Sequence, residues 1–475
     1  MEQKRGAVPV QMNLTEGVIW KTLLRYSMPV ILSALLQSAY SIVDMVLAGI
    51  FVGEIGISAI NNSGQVLLFL TQVIMGITMG GNILMGQYYG NRDHENRTKT
   101  NVTLFSLALL SGIFMMGLLL VLGEPVLRLL KAPALGESLI YLRICAVGLL
   151  PVCGYNALAA MIRAVGNSRK PLNFILLTTV VNIVLDTLFM GVFHWGVAGA
   201  AWATVIAQSI SFLVALFYVL GNRDLFALRL GGLYLKKDKL IHMLRLGIPS
   251  AVQMTLVGFS WLTMTFLVNG YGVEASAASG IAAKIREVSQ LFTVGMGAAA
   301  GTMVAQCLGA GDFSRARNTV HIAMRIAIGV SLVVILLVEL TAPQLVSLFN
   351  PNAETAYWAV QNLRIEVLAQ VFYASFMVYN ALAIGAGHTM FVLGSSIMNS
   401  IIVRLALAVL LNHYMGLTGI YWACMIAPAS SVPLGYIYER AGRWKKSLAK
   451  ETVGTGRTES GGVIEAESHT RDNEA

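Results

Sequence analysis

Long apolar stretches separated by short polar segments recur along the whole chain. Each is near the roughly 20 residues that an α-helix needs to cross a bilayer. Twelve such stretches lie near 26–50, 57–85, 101–123, 138–162, 172–193, 197–220, 246–270, 277–305, 320–342, 364–387, 391–412 and 417–438. The pattern predicts an all-α integral membrane protein with twelve transmembrane helices.

Composition and charge placement agree with a membrane protein. Of the 475 residues, 56% are hydrophobic and 12% are charged, and the mean hydropathy is +0.69. A soluble domain is about 25% charged. The net charge of +9 does not indicate a nucleic-acid partner, because the basic residues gather in alternate loops. By the positive-inside rule we expect a multi-pass protein of the cell (plasma) membrane with both termini cytoplasmic.

The two halves of the chain repeat one pattern. Residues 76–93 (GITMGGNILMGQYYGNRD) and 295–312 (GMGAAAGTMVAQCLGAGD) share Gly, Gln, Gly and Asp at a constant offset of 219. An offset of 220 relates Pro29 to Pro249 and residues 196–211 to 416–431. Each half has six spans, so the two repeats run parallel. We expect two lobes around a central cavity, as in two-lobed secondary transporters.

These observations divide the chain into four regions. We expect an N-terminal six-helix lobe at 1–220, a cytoplasmic linker at 221–245 and a C-terminal six-helix lobe at 246–440. Residues 441–475 are polar and low in aromatic residues, which is typical of a disordered, here cytoplasmic, tail.

A polar stripe crosses the first predicted span. Ser33, Gln37, Tyr40 and Asp44 follow one another at intervals of four, three and four residues, so they share one helix face. A charged Asp at the bilayer centre costs about 2.5–3.5 kcal/mol on insertion scales. We therefore expect the stripe to face the interior of the N-terminal lobe, with Gln37 and Tyr40 lining the substrate cavity.

A second acid lies deep in the fifth span. Asn182 and Asp186 are four residues apart on one helix face. With Asp44, and with Asn156 from the fourth span and Thr204 from the sixth, they predict a site where a coupling cation or proton binds. The second half of the chain lacks this pair, because Met264 stands at the position equivalent to Asp44.

The chemistry of this predicted site leaves alternatives open. Oxygen ligands suit a hard ion such as sodium, at Asp44, Asn182 and Asp186. Alternatively, two carboxylates held together in an apolar interior exchange a proton instead. A purely structural alternative is that each acid only pairs with a local polar group and braces the helices.

No other chemistry stands out in the sequence. It contains neither a GxxxxGK[ST] loop for ATP nor a constellation that would serve a nucleophile or a metal ion, so we expect no enzyme and no cofactor beyond the coupling H⁺ or Na⁺. The four cysteines lie in or beside apolar segments, as buried thiols do. Lys284 and Glu287 are three residues apart and can pair. Arg404 is either neutralised inside the C-terminal half or extends to the interface.

Several motifs together resemble the multidrug and toxic compound extrusion (MATE) family. They are Pro29, Gln37 and Asp44 with the following AGIFVGEIGISAI, then GQYYGNRD, the NxxxD of Asn182 and Asp186, and GVAGAAWAT at 196–204. The resemblance covers about residues 15–440. It implies a twelve-helix, two-lobed antiporter that exports small organic, often cationic and amphipathic compounds in exchange for protons or sodium ions by alternating access.

The resemblance also implies which residues couple the ion. The sequence is similar to the branch of the family whose coupling acids lie in the N-terminal lobe, with Asp44, Asn182 and Asp186 as the core and Asn156 and Thr204 beside them. Another branch uses acids in spans 7 and 10. The stretches GFSWLTMTFLVNG and VFYASFMVYNALAIGAG contain none, so no second acidic site is expected here.

Three further expectations complete the sequence-based prediction. Pro29 removes a backbone hydrogen bond and is a hinge candidate, although a helix-start proline would look the same. A flippase for a lipid-linked precursor is the alternative function, since such proteins share the two-lobed architecture. We expect the chain to act as a monomer in the lipid bilayer, without nucleic acid.

Overall fold

The computed structural model describes residues 12–129, 134–226, 228, 234–349 and 352–445, except for the side chains of residues 41, 42, 45, 54, 55, 57, 58, 61 and 273. These residues fold into α-helices joined by short turns, and no strand occurs among them. Most of the predicted C-terminal tail, residues 446–475, lies outside the described residues.

The helices fall into two consecutive sets of six. The first set is α1 (Ile19–Phe51), α2 (Glu54–Gly90), α3 (His94–Leu129), α4 (Leu135–Ala164), α5 (Arg169–Val192) and α6 (Gly196–Gly221). The second set is α7 (Lys237–Asn269), α8 (Val273–Gly309), α9 (Phe313–Ser347), α10 (Ala353–Val367 with Gln370–Ala386), α11 (Thr389–Met415) and α12 (Leu417–Arg440). A single helical turn, Arg223–Phe226, lies between the sets.

The predicted all-α membrane architecture is confirmed. Among the described residues, ten helices are long and apolar enough to cross a membrane, and eleven if the two parts of α10, bent by 45°, form one span. The 33-residue helix α1, which carries Asp44, falls outside that count. The predicted number of twelve spans is therefore approximate.

The two lobes interlock through their first helices. Leu23 and Tyr26, in the first turns of α1, belong to the apolar core formed mainly by α8, α9 and α10. Met243 and Leu246, in the first turns of α7, belong in turn to the core of α2, α3, α4 and α6. Each lobe thus holds the beginning of the other lobe's first helix.

The glycines of the repeated motif explain how the lobes approach so closely. A Cβ added at Gly90 would lie 2.0 Å from the carbonyl oxygen of Gln306, and one added at Gly309 would lie 2.0 Å from that of Gln87. The backbones of α2 and α8 therefore meet without any side chain between them, as small residues allow in membrane helices. The contact lies where both helices end, which we call the α2–α3 end of the bundle.

Candidate ion site

Asp44 and Asp186 are brought together inside the N-terminal lobe. Asp44 lies in the second half of α1 and is 6% exposed, whereas Asp186 lies in α5 and is fully buried. The two carboxyl groups are neighbours that interact directly. Residues 142 positions apart in the sequence thus share one site, as the polar stripe and the NxxxD motif predict.

The backbone changes its helical form directly after Asp186. Residues Thr187–Val192 form a π-helical turn that continues the α-helix. π-Helical turns are rare and are found frequently at functional sites. The π-helical turn follows Asp186 directly and extends to the end of α5. Asp186 therefore lies where the backbone hydrogen-bond pattern of α5 changes from α-helical to π-helical.

The polar atoms of the site are largely unsatisfied. Among the described residues, no hydrogen-bond partner meets Oδ1 of Asp44, either carboxylate oxygen of Asp186, or the side-chain oxygen and nitrogen of Asn182. Asn182 is fully buried beside Asp186. Buried polar atoms are normally satisfied, and here the three side chains lie close enough together to interact with one another.

Thr204 and Tyr40 close one side of the site. The Tyr40 and Thr204 hydroxyl oxygens are 3.3 Å apart, joining α1 to α6. Tyr40 also interacts electrostatically with both acids. Tyr40, predicted to line the substrate cavity, therefore lies next to the carboxylates, and Thr204, predicted as part of the ion site, adjoins it.

Two residues of α4 were missed from the sequence. Tyr141 and Cys145 are buried and lie within electrostatic range of Asp44. Nothing in the sequence distinguishes them, because a tyrosine and a cysteine in an apolar helix are ordinary core residues. They form the wall of the site that α4 supplies.

The other residues named from the sequence are less closely placed. The Asn156 amide donates to the carbonyl oxygen of Val152 in its own helix, 3.0 Å away, and none of the contacts among described residues joins it to the acids. Gln37 is exposed on α1. Pro29 is buried ten residues inside α1, so it does not start the helix.

The charge of the site depends on its protons. Two ionised carboxylates would give a formal charge of −2 and a pair that shares one proton −1, and either charge is costly to bury without compensation. The described residues contain no group of three or more His, Cys, Asp or Glu side chains that could hold a metal ion. Two carboxylates with an amide and a hydroxyl are instead a set of oxygen donors for a hard monovalent cation, or for a proton shared between the acids.

The C-terminal lobe holds a buried acid that the sequence analysis overlooked. Glu366 of α10 is 8% exposed and forms an ion pair with Arg286 of α8. It lies five residues before Val371, outside the acid-free stretch VFYASFMVYNALAIGAG, and the absence of a second coupling site stays a prediction. The predicted pair of Lys284 with Glu287 is confirmed at 3.4 Å, with both side chains exposed.

Comparison with known proteins matches nearly the whole chain. "Probable multidrug resistance protein YoeA" of Bacillus subtilis is 28% identical over 439 residues, covering 90% of this chain and 95% of that protein. "Multidrug export protein MepA" of Staphylococcus saprophyticus is 24% identical, covering 86% and 91% of the two chains.

Solved structures share the fold. One described as an outward-facing conformation of a multidrug resistance MATE family transporter superposes with a TM-score of 0.85 at 22% identity, over 91% of this chain and 98% of that chain. A MOP superfamily transporter from Pyrococcus furiosus, described as having a binding pocket of reverse polarity, superposes with a TM-score of 0.84 at 21% identity, over the same shares of the two chains. The sequence profile named MatE matches residues 29–188 and 249–410. The chain therefore belongs to the MatE family of membrane transporters.

Proposed function

We propose that the protein is a secondary active antiporter that exports small organic compounds from the cytoplasm in exchange for sodium ions or protons. The observation that carries the proposal is the buried pair of Asp44 and Asp186, two acids from different helices that lie next to each other inside the N-terminal lobe. The names of the relatives, which describe multidrug resistance and multidrug export, support the class of substrate.

The coupling site is the N-lobe cluster of Asp44, Asn182 and Asp186, with Thr204 beside it, while Asn156 is a companion predicted from the sequence whose amide bonds within α4. On this proposal the protein belongs to the branch of the family with N-lobe coupling acids. Binding of a cation or proton removes negative charge from the wall of the site. A cationic, amphipathic substrate attracted by that charge is then released, because the carboxylates can no longer serve both.

Alternating access follows from the way the lobes meet. We place the α2–α3 end of the bundle on the cytoplasmic side together with both termini, since the loops at that end carry most of the basic residues. The α2 and α8 backbones meet there, so this conformation is closed towards the cytoplasm. Uptake of the ion from outside and release of the substrate belong to this state, and the lobes then separate at the cytoplasmic end. We propose a monomer in the plasma membrane.

The flippase alternative rests on one observation, the two guanidinium groups of Arg286 and Arg404 that lie against the Trp261 ring in the C-terminal lobe. A lipid-linked pyrophosphate carries more than one negative charge. The C-lobe guanidiniums with Glu366 have a formal charge of only +1, and the N-lobe acids contribute −1 when they share a proton or −2 when both are ionised. Electrostatics thus favour export of organic compounds over movement of a pyrophosphate lipid.

Dye efflux tests the proposal. Cells loaded with a cationic dye should export it when a sodium or proton gradient is imposed, each gradient in turn, and Asp44→Asn should abolish the gradient-dependent part. Glu95→Gln is the matched control, because Glu95 is an exposed carboxylate paired with Lys99 at the start of α3. Unimpaired efflux in a folded, inserted Asp44→Asn protein would refute the coupling role.

A further inference from the structure

We propose that the segment before α1, residues 12–18, is a strap that holds the two lobes together at the α2–α3 end and leaves the N-terminal lobe when that end opens. Arg315 of α9 is the positioning residue that anchors this N-terminal strap to the C-terminal lobe. The inference rests on the proposed export function only for the statement that the opening belongs to a transport cycle.

The strap is fixed to the C-terminal lobe through its backbone. Arg315 lies in the first turn of α9, and its guanidinium donates hydrogen bonds to the carbonyl oxygens of Leu14, Glu16 and Gly17, at 3.2, 2.5 and 2.9 Å. Because the strap is not helical, its carbonyl groups need partners elsewhere. The guanidinium presents its donors in a fixed fork, so one side chain holds three carbonyls of the strap in one arrangement.

An apolar side chain provides the second attachment. Leu14 is fully buried and belongs to the same apolar core of α8, α9 and α10 that holds Leu23 and Tyr26 of α1. Met12 packs against this core and is partly buried. Removing these side chains from water favours the docked strap. The strap and the first turns of α1 are therefore parts of the C-terminal lobe in their packing.

The strap reaches the N-terminal lobe at Gly166, in the turn between α4 and α5. Gly166 has φ +86°, and a Cβ added to it would lie 2.3 Å from the carbonyl oxygen of Met12 and 3.6 Å from Cγ of Leu14. The strap thus meets the turn backbone to backbone. Since the strap packs with one lobe and the turn belongs to the other, this contact exists only while the lobes are together at the α2–α3 end.

The other contacts of this turn also cross between the lobes. The Tyr26 hydroxyl donates to the carbonyl oxygen of Arg163 at 2.8 Å, and the Ser168 hydroxyl donates to the carbonyl oxygen of Tyr26 at 2.8 Å. The Gln306 amide of α8 donates to the carbonyl oxygen of Ala164. The turn is therefore held by α1, by α8 and by the strap, and all these contacts break when the lobes separate here.

The strap continues directly into the helix that carries the ion site. It ends at Val18, the residue that precedes the 33-residue helix α1. Tyr26 near the start of this helix packs in the C-terminal lobe, whereas Asp44 lies in the N-terminal lobe beside Asp186. A shift of α1 at the ion site therefore reaches the strap along one continuous helix.

Distances between spin labels in the purified full-length protein test the proposal. Cysteines at the exposed residues Glu16 and Arg169 report the strap against the N-lobe turn, and cysteines at Asn91 and Ala310 report the two lobes. Arg315→Met keeps an unbranched apolar side chain but removes the donors. We expect it to lengthen both distances and to increase the fraction of molecules with separated lobes about fivefold, the effect of losing part of one buried apolar side chain from the closed state.

Further variants separate the strap from a general effect on α9. Leu14→Asp changes only the strap, outside every helix, and should lengthen both distances in the same way, so it decides the case if Arg315→Met fails to fold. Arg315→Lys should have a smaller effect than Arg315→Met, because a lysine keeps donors without the planar fork. Leu14→Met conserves the apolar volume and Arg325→Met removes an exposed cation of α9, so both should behave like the wild type.

Each outcome supports or overturns the strap. A longer strap distance with the lobes still together would show that the strap follows the lobes without holding them, which overturns the proposal. Unchanged strap distances in both Arg315→Met and Leu14→Asp, or an equal shift in Arg325→Met, would overturn the anchoring. The export proposal is tested separately by dye efflux in Asp44→Asn, and its failure would leave these distances and their interpretation unaffected.

Discussion

The side-chain amide of Gln306 in the C-terminal lobe donates a hydrogen bond to the carbonyl oxygen of Ala164 in the N-terminal lobe, 2.6 Å away. Its repeat equivalent, Gln87, donates in the opposite direction to the carbonyl oxygen of Gly385, at 2.9 Å. All four residues are buried at the α2–α3 end. The repeated glutamines therefore join the lobes symmetrically, at the carbonyl groups near the ends of α4 and α10.

This junction depends on the absence of a side chain at Gly90. We expect Gly90→Ala to keep the lobes apart at the α2–α3 end, because its Cβ would lie 2.0 Å from the carbonyl oxygen of Gln306. Each lobe keeps its own core and should remain folded. Spin labels on cysteines introduced at the exposed residues Asn91 and Ala310 should report a longer distance, by several ångströms, and the four native cysteines are buried.

Gly64→Ala is the matched control for this experiment. Gly64 lies in the same helix, α2, but an added Cβ would meet nothing within 4 Å. The Gly64→Ala substitution should stabilise the helix by about 0.5–1 kcal/mol. The distance between the two spin labels should stay as in the wild type. Identical label distances in Gly90→Ala and Gly64→Ala would contradict the close-approach explanation.

A second prediction concerns ion binding to the purified protein, measured without transport. A cation that binds the folded protein stabilises it by about 2.7 kcal/mol at one hundred times its dissociation constant. The purified wild type should therefore unfold at higher temperature when sodium is added or when the pH is lowered, whichever ion couples. Asp186→Asn should lose this dependence, because one of the two negative charges is gone.

Asn at this position keeps the shape and fills the same buried volume, so the folded state should survive. Glu124→Gln serves as the control, since Glu124 is a partly exposed carboxylate paired with Arg128 in α3. A stabilisation by the ion that is the same in Asp186→Asn and in Glu124→Gln would show that the ion binds elsewhere.

The acids of the ion site could be predicted from the sequence, whereas the ends of the helices could not. Asp44 and Asp186 are conspicuous because a charge in an apolar run needs a partner, and helical spacing assigns their faces. Helix ends were less predictable. α7 begins at Lys237 rather than near 246, because apolarity marks the membrane crossing, whereas Lys239 is polar yet buried against the Tyr88 hydroxyl, 2.9 Å away.

The missed residues lacked a local signal of any kind. Glu366 lies near the boundary of a predicted span, where an acid is normally exposed at the interface, and its partner Arg286 is 80 residues away in the sequence. Tyr141 and Cys145 look like core residues. Only the packing of α4, α8 and α10 reveals their neighbours, since pairings between distant helices leave no periodic pattern in one chain.

A third prediction concerns the stability of the Arg286–Glu366 pair. Removing one partner of a buried ion pair costs about 3–5 kcal/mol, because the other charge is left uncompensated. Glu366→Gln should therefore lower the unfolding temperature clearly, because it leaves both Arg286 and Arg404 without a carboxylate, whereas Arg286→Gln should lower it less, because Arg404 still interacts with Glu366. The measurement is thermal unfolding in detergent.

The neighbouring pair of Lys284 and Glu287 provides the comparison. Both side chains are more than half exposed, and exposed pairs contribute about 0–1 kcal/mol. Lys284→Gln should thus change the unfolding temperature little. An Arg286→Gln variant that is less stable than Glu366→Gln would contradict the pairing argument.

The last prediction concerns Pro29, which lies in α1 between two sets of partners. Before it, Leu23 and Tyr26 pack in the C-lobe core, and after it, Asp44 faces the N-lobe site. Proline costs a helix interior about 3 kcal/mol by removing a hydrogen bond, so Pro29→Ala should leave the protein as stable or more so. We nevertheless expect slower ion-driven efflux, because α1 can no longer bend between the two lobes.

Pro249→Ala is the control, since Pro249 occupies the equivalent place in α7 but Met264 replaces the acid beyond it. Equal losses of efflux in both variants would mean that the prolines only shape the lobe interface, whereas a loss confined to Pro29→Ala would connect the bend to Asp44.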